Sequence, residues 1–339
     1  ALAELAARCG HEPVRVLDMP GFLVNHAGRG YLTEALRIVG EGVCGFADVD
    51  RVMREACGFP MGPFELLDLT ALDVSGPVME QIYLQFYEEP RFRPSPLTAR
   101  RLAAGLLGRK VGEGFYRYVD GRKPEPPEPT VEGPLPAAVW SCPAEPELQA
   151  RVAAALRGVD VRVETGPRPS AEALCLVTPL GEDTTHAALG RSLDPARTLA
   201  IDALVPLGKR VTLAACPATS PAVREAGRAL LAAAGRKVTL TADSPGLIAQ
   251  RILAGVVNIA CEIAQMRIAS PTDIDRAVRL GLGYPIGPLA WGDALGPPRV
   301  LTILERLQAL TGDPRYRPSL WLRRRAALGL SLRASDLAG

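Results

Sequence analysis

The sequence predicts a mainly α-helical chain in which one small α/β module lies between two copies of a single helical domain. Three observations predict this. First, the chain repeats itself: "DMPGFLVNHAGRGYLT" at residues 18–33 returns as "DSPGLIAQRILAGVVN" at residues 243–258, 225 residues later. "FADVDRVMREACGFPMGPFELLD" (46–68) returns as "PTDIDRAVRLGLGYPIGPLAWGD" (271–293) at the same offset, and "EPRFRPSP" (89–96) as "DPRYRPSL" (313–320). An extended repeat of this kind marks an internal duplication. Second, the repeated unit carries helical periodicity. Third, the stretch before the second copy has a different texture, with short β-branched runs alternating with helical patterns.

The chain opens with "ALAELAARCG", an amphipathic helix that starts without a cap. The duplication reaches back over it, because "AELAARCGHEPVRVLDMPG" (3–21) matches "RALLAAAGRKVTLTADSPG" (228–246). In the second copy those residues read as the last helix and strand of the α/β module. Residues 1–19 are therefore expected to be the last helix and strand of another α/β domain, and the chain is expected to be the C-terminal part of a longer protein.

The first helical copy, residues 20–121, follows. Val24, Ala27, Tyr31, Ala35, Ile38 and Val39 form a stripe at helical spacing, predicting one long helix with a core-facing side. "CGFPMGP" then turns the chain. The copy closes on "GRKVGEGFYRYVDG", in which Gly108, Gly112 and Gly114 indicate tight turns. Residues 122–136, "RKPEPPEPTVEGPLP", favour extended polyproline geometry and read as a linker.

Residues 137–243 form the α/β module. "VDVRVETG", "ALCLVTP", "TLAIDAL" and "RVTLAAC" read as strands, and "EPELQARVAAALRG", "DTTHAALGRSL" and "SPAVREAGRALLAAAG" as helices. Such alternation implies βα units on a mostly parallel sheet. No G-x-G-x-x-G follows the first strand, so nothing there cradles a pyrophosphate. The module reads as a reduced, non-binding Rossmann-like domain. Residues 244–339 are the second helical copy. Here Ser270 caps a helix that begins at Pro271, Asp273 completes an S-x-x-D box, Ile274, Ala277, Val278 and Leu282 form its apolar face, and Gly283 ends it.

Composition narrows the function. Lys+Arg number 39 against Asp+Glu 37, a balance unlike that of a dedicated nucleic-acid binder. The Arg323, Arg324, Arg325 run reads as a solvated helix face. The seven cysteines show no CxxC spacing, which argues against a disulfide framework or a zinc site and fits a reducing cytoplasm. No apolar run is long enough to span a membrane, and no signal peptide is present.

"DMPGFLVN", "DVDRVMREACGFPMGPFELLDL" and "GRKVGEGFYRY" together resemble the C-terminal domain of 3-hydroxyacyl-CoA dehydrogenases. The doubled layout is similar to that of bacterial 3-hydroxybutyryl-CoA and 3-hydroxyadipyl-CoA dehydrogenases, the latter from phenylacetate breakdown. The resemblance implies a fatty-acid-type acyl-CoA substrate oxidised at its 3-hydroxyl to the 3-oxoacyl-CoA. It implies NAD in the parent protein, held by an upstream Rossmann domain that also carries a catalytic His and Glu. No cofactor and no metal are expected in this chain itself.

By motif, the resemblance assigns Asn25 to the catalytic centre, where an amide can orient a His or the substrate oxygen without titrating. Met61, Pro63 and Phe64 are expected near the acyl chain, with Phe64 equally readable as core. Lys110 is expected either at a CoA phosphate or holding a loop. His11 and His186 read as surface residues, and His26 stands where the family often has Arg. Copy two carries Gln250 at the position of Asn25. Since a misplacement of about 1 Å can slow a reaction by on the order of 100-fold, copy two is expected to be structural. Its helices are expected to pack on copy one as a pseudo-dimer, with a homodimer also open. Two alternatives remain: a non-catalytic dimerisation or interaction module, and part of a multifunctional fatty-acid oxidation protein.

Overall fold

The computed structural model describes residues 1–131, 133–142 and 145–335. Residue 132 of the expected linker and residues 336–339 of the expected second helical domain lie outside the described residues. Ahead of the first copy lies α1 (Leu2–Arg8); the first copy contains α2 (Val24–Ala27), α3 (Arg29–Gly40), α4 (Phe46–Glu55), α5 (Pro63–Thr70), α6 (Leu72–Gln85) and α7 (Pro96–Ala103). The α/β module runs β1 (Ala138–Ser141), α8 (Pro146–Ala155), β2 (Arg162–Glu164), β3 (Ala173–Val177), α9 (Thr184–Leu189), β4 (Thr198–Ile201), β5 (Arg210–Ala215), α10 (Pro221–Ala233) and β6 (Lys237–Ala242). The second copy is α11 (Ala249–Gln265), α12 (Pro271–Leu282), α13 (Pro288–Leu295), α14 (Pro297–Thr311) and α15 (Leu320–Leu328).

The sheet order is β2-β1-β3-β4-β5-β6. The sheet is mixed: β4 and β5 pair antiparallel, and the remaining pairs are parallel. Leu174, Leu176, Leu199, Ile201 and Leu213 point into the main core, and Ala138, Trp140, Cys175, Val177, Ala200 and Ala214 into a second, smaller core. Burial on both faces explains why β3, β4 and β5 read as continuous apolar runs, whereas β1 is not among the strands read from the sequence.

The two copies meet through equivalent residues. Helices α3 and α11 cross where Gly30 lies against Gly255, its counterpart 225 residues on. A Cβ on Gly30 would come within 3.2 Å of the Val256 nitrogen and 3.3 Å of the Gly255 carbonyl carbon. Leu17 N–H donates to Ile268 O at 2.9 Å, and its counterpart Ala242 donates to Val43 O at 2.9 Å. Arg91 donates to Arg317 O at 2.7 Å, and Arg315 to Arg93 O at 3.5 Å. Such reciprocity is the signature of an isologous contact, here formed inside one chain.

Three expectations need correcting. Residues 14–17 form no strand; β6, their counterpart, is ordered by its partner β5. The long helix predicted from Val24 to Val39 is broken at Gly28, which separates α2 from α3, whereas the second copy keeps one helix of 17 residues. The proline-rich segment forms no helix or strand among its described residues, and copy one holds it: Arg54 Nη1 donates to Glu125 at 3.0 Å and Arg51 to Pro127 O at 3.3 Å. The arginine run is not wholly solvated, since Arg325 is buried with its guanidinium 3.1 Å from the Trp321 ring centre.

Candidate active-site face

The chain enters α2 through a left-handed pair, Gly21 (φ +74°) and Phe22 (φ +48°), and enters α11 through Gly246 (φ +71°) and Leu247 (φ +50°). A Cβ on Gly21 would lie 2.8 Å from the Ile82 side chain, and one on Gly246 would lie 3.1 Å from Leu307, the counterpart of Ile82. Only glycine allows both the positive φ and the close approach. The turn presents residue 25 in one copy and residue 250 in the other at the same place on the fold.

Their surroundings differ. Gln250 is fully buried beneath the carboxyl ends of β3 and β4. Its Nε2 donates to Pro179 O and Asp202 Oδ1, both at 3.0 Å, and its Oε1 accepts from Gly181 N–H at 2.8 Å. Burial pushes the Asp202 carboxyl up to about 6, against the opposing pull of the Gln250 hydrogen bond. Asn25 is exposed. Beside it, Leu5 and Phe22 are 55% and 61% exposed, while their counterparts Leu230 and Leu247 are 0% and 1% exposed under the sheet. Copy one thus carries bare the face that copy two covers with an α/β module.

Behind Asn25, His26 is buried against Phe86 and Phe92, with ring centres 4.8 and 5.1 Å away. Neither ring nitrogen has a hydrogen-bond partner among the described residues. Burial and then the nearby Arg29 charge lower its pKa to about 4. Arg29 Nε donates to the Asn25 carbonyl at 2.8 Å, which fixes the short helix on which Asn25 sits.

The other expected site residues are held structurally. Phe64 is fully enclosed, with its ring centre 4.7 Å from that of Phe115, so it is core and lines no open cleft. Pro63 is buried at the first position of α5, where its fixed φ and missing N–H suit a helix start. Met61 is half-buried, and its carbonyl accepts from Tyr31 Oη at 2.7 Å. Lys110 pairs with Asp73, which takes its ammonium for a loop contact. His11 is exposed, and exposed His186 hydrogen-bonds Asp183 at 2.7 Å.

Several determinants gave no local signal in the sequence. Asp50 accepts from the N–H groups of Phe64 (2.8 Å) and Glu65 (3.0 Å), and Asp275 does the same for Leu289 and Ala290 in copy two. Burial, reinforced by Glu65, pushes the Asp50 carboxyl up to about 7 against its hydrogen bonds. Asp68 is different, because its recurrence as Asp293 in copy two predicts a structural role such as capping: it accepts from the N–H groups of Phe115 and Tyr116, both at 2.8 Å, tying "GEGFYRY" down, and Asp293 accepts from Leu332 N–H at 2.7 Å. Glu34 sits between Arg251 (2.7 Å), Arg315 (3.4 Å) and Tyr316 Oη (2.7 Å) across the contact between the copies. Burial raises its pKa, but the two guanidinium groups outweigh that and hold it below the usual range.

A dinucleotide does not fit the α/β module. The sequence that follows β1, "SCPAEP", has no glycine, and the Glu145 carboxylate stands at the start of α8, paired with Arg299 at 2.6 Å. A pyrophosphate needs donors there, not a second anion. Among the described residues no helix is long and apolar enough to cross a membrane, and no cluster of His, Cys, Asp and Glu is placed to hold a metal. No disulfide joins the cysteines among the described residues.

Comparison with known proteins gives this geometry its context. The family model "3-hydroxyacyl-CoA dehydrogenase, C-terminal domain" matches twice, at residues 21–118 and 246–336. The chain belongs to this family. Over 334 residues it is 35% identical to the 3-hydroxyadipyl-CoA dehydrogenase of Escherichia coli K12, covering 96% of this chain and 63% of that protein. The crystal structure of 3-hydroxybutyryl-CoA dehydrogenase from E. coli K12 superposes with a TM-score of 0.78 at 33% identity, covering 96% of this chain and 64% of that one. The mitochondrial hydroxyacyl-coenzyme A dehydrogenase of Sus scrofa matches over 118 residues at 38% identity, 35% of this chain. The chain therefore spans under two thirds of the length of these relatives, whose names are those of oxidoreductases.

Proposed function

We propose that this chain supplies the substrate side of an NAD-dependent 3-hydroxyacyl-CoA dehydrogenase acting on 3-hydroxybutyryl-CoA or 3-hydroxyadipyl-CoA. The observation that carries the reading is the asymmetry between the copies. The Asn25 face is bare and apolar where the Gln250 face is sealed under a sheet. In this proposal the bare face docks a dinucleotide-binding α/β unit, as the α/β module docks on copy two. Asn25 then lies at the seam, and its carboxamide donates to the substrate oxygen at C3 or holds a catalytic imidazole. Copy two stays a scaffold, because Gln250 already spends its hydrogen bonds on Pro179, Gly181 and Asp202.

The test is an assay of the protein as its gene encodes it, with both acyl-CoA substrates and NAD⁺, following NADH. Asn25→Ala should lower kcat by roughly 100-fold, the usual size of a lost positioning or oxyanion donor. Gln250→Ala, assayed below its melting temperature, should leave kcat within about twofold of wild type, as expected for a group outside the reacting geometry. Equal losses from the two variants, or no NADH from either substrate, would refute the reading.

A further inference from the structure

The duplication exposes a second kind of site. In copy one the extended segment at residues 123–128 lies across α4 and the start of α5. Arg51 donates to the carbonyls of Pro126 and Pro127, the latter at 3.3 Å, and its Nε lies 3.8 Å from Glu128. Arg54 donates to Glu125 at 3.0 Å, and Lys123 pairs with Glu65 at 2.7 Å. A polyproline-like strand has no internal hydrogen bonds, so its carbonyls are free for such donors. Charge assistance from the glutamates strengthens the grip.

Copy two repeats the surface without the segment. Arg276 is the counterpart of Arg51, Arg279 of Arg54, Pro285 of Pro60 and Ile286 of Met61, each 225 residues on. Together with Arg333 and Glu12 they line an open groove of about 420 Å³. The Arg51 side chain, covered by the segment, is 6% exposed, whereas that of Arg276 is 42% exposed. Arg276 reaches Glu12 at 3.2 Å, and Arg333 reaches Asp275 at 3.6 Å, a carboxylate already spent on the start of α13. Arg279 is exposed and forms no ion pair among the described residues. Asp273 also lies 3.8 Å from Arg276, so the carboxylates here gather on Arg276 and Arg333 and leave the Arg279 guanidinium for a ligand.

We propose that this groove is a docking site for an extended, proline-rich, glutamate-bearing peptide segment of another polypeptide. The chain shows the pairing once, in cis, and repeats the two arginines at the second place, where among the described residues no proline-rich segment lies across them. The cis segment benefits from a high effective concentration, so the trans complex is expected to be weak and salt-sensitive. The proposal does not depend on the dehydrogenase reading.

The test uses a fluorescein-labelled peptide with the sequence of residues 122–129, "RKPEPPEP", titrated with the 339-residue chain at low ionic strength and followed by anisotropy. Saturable one-to-one binding is expected. Arg279→Glu should weaken it at least tenfold, as should replacing both peptide glutamates by glutamine, a change that leaves the protein untouched. Arg54→Glu should leave it within twofold. No saturation as the chain is raised to about 1 mM, the weak limit of specific binding, would overturn the proposal. So would equal affinity for the glutamine peptide, indifference to Arg279→Glu, or loss of binding in Arg54→Glu, which would place the peptide in the copy-one groove instead.

Discussion

Residues 25, 26 and 250 show how one side chain decides what a repeated surface does. Gln250 satisfies three buried groups; Gln250→Ala would strand them and is expected to lower unfolding free energy by about 2–4 kcal/mol, measured by urea titration. Asn25→Ala, at an exposed site, should change it by less than about 0.5 kcal/mol. His26 gives a pH signature. Its folded pKa of about 4 lies below the ordinary 6.5, so its contribution is full above pH 6.5 and is lost as pH falls towards 4. His26→Leu should therefore flatten the loss of melting temperature in that window. Asp50 and Asp202 work in the opposite direction. Their folded values of about 7 and 6 lie above the ordinary 3.8, so their contributions are full below pH 3.8 and fade as pH rises through those values. Asn25 and Gln250 were legible in the sequence because the repeat aligned them. The burial of Gln250 was not, since it depends on a sheet residue 48 positions upstream, Asp202.

At the scale of elements, the helix pair α3 and α11 carries the contact between the copies. Gly30→Val should open this crossing and lower the melting temperature, because its branches meet backbone atoms that have no room to shift. Gly255→Ala meets nothing within 4 Å and should raise stability by up to about 1 kcal/mol through helix propensity. Calorimetry on the two variants separates these outcomes. The helix caps were readable: Ser270 Oγ accepts from Asp273 N–H at 3.1 Å, and Gly283 takes φ +67° to end α12. The break at Gly28 was not, since an apolar stripe alone does not show where a helix turns. Neither was the antiparallel pairing of β4 with β5, because residue pattern specifies a strand and its buried faces but not its direction.

Across the whole molecule, Arg251 links the copies by joining Glu34 and Glu41 of copy one, at 2.7 and 2.8 Å, to Ser244 and Tyr316 of copy two. Breaking a buried pair leaves an uncompensated charge, so Arg251→Met should cost about 3 kcal/mol, towards the low end because Arg315 and Tyr316 still hold Glu34. The double change Arg251→Met with Glu34→Leu should recover most of that loss in the same urea experiment. Full additivity would show that the two groups are not coupled. Arg251 stands at the repeat position of His26 and Glu34 at that of Ile259, so comparing the copies flags both residues as departures. It does not show that they meet.

The sequence by itself determined the duplication, the helical units, the α/β texture between them and the family to which the chain belongs. Each of these is written in local periodicity, capping residues and a motif repeated at a fixed interval. Tertiary structure alone decided that Phe64 is enclosed, that Lys110 is spent on Asp73, that Gln250 is sealed while Asn25 is bare, and that the proline-rich segment lies on one groove and leaves its twin open. Those outcomes depend on which distant surfaces come together, and burial, ion pairing and shifted proton affinities follow from that proximity rather than from any short run of residues.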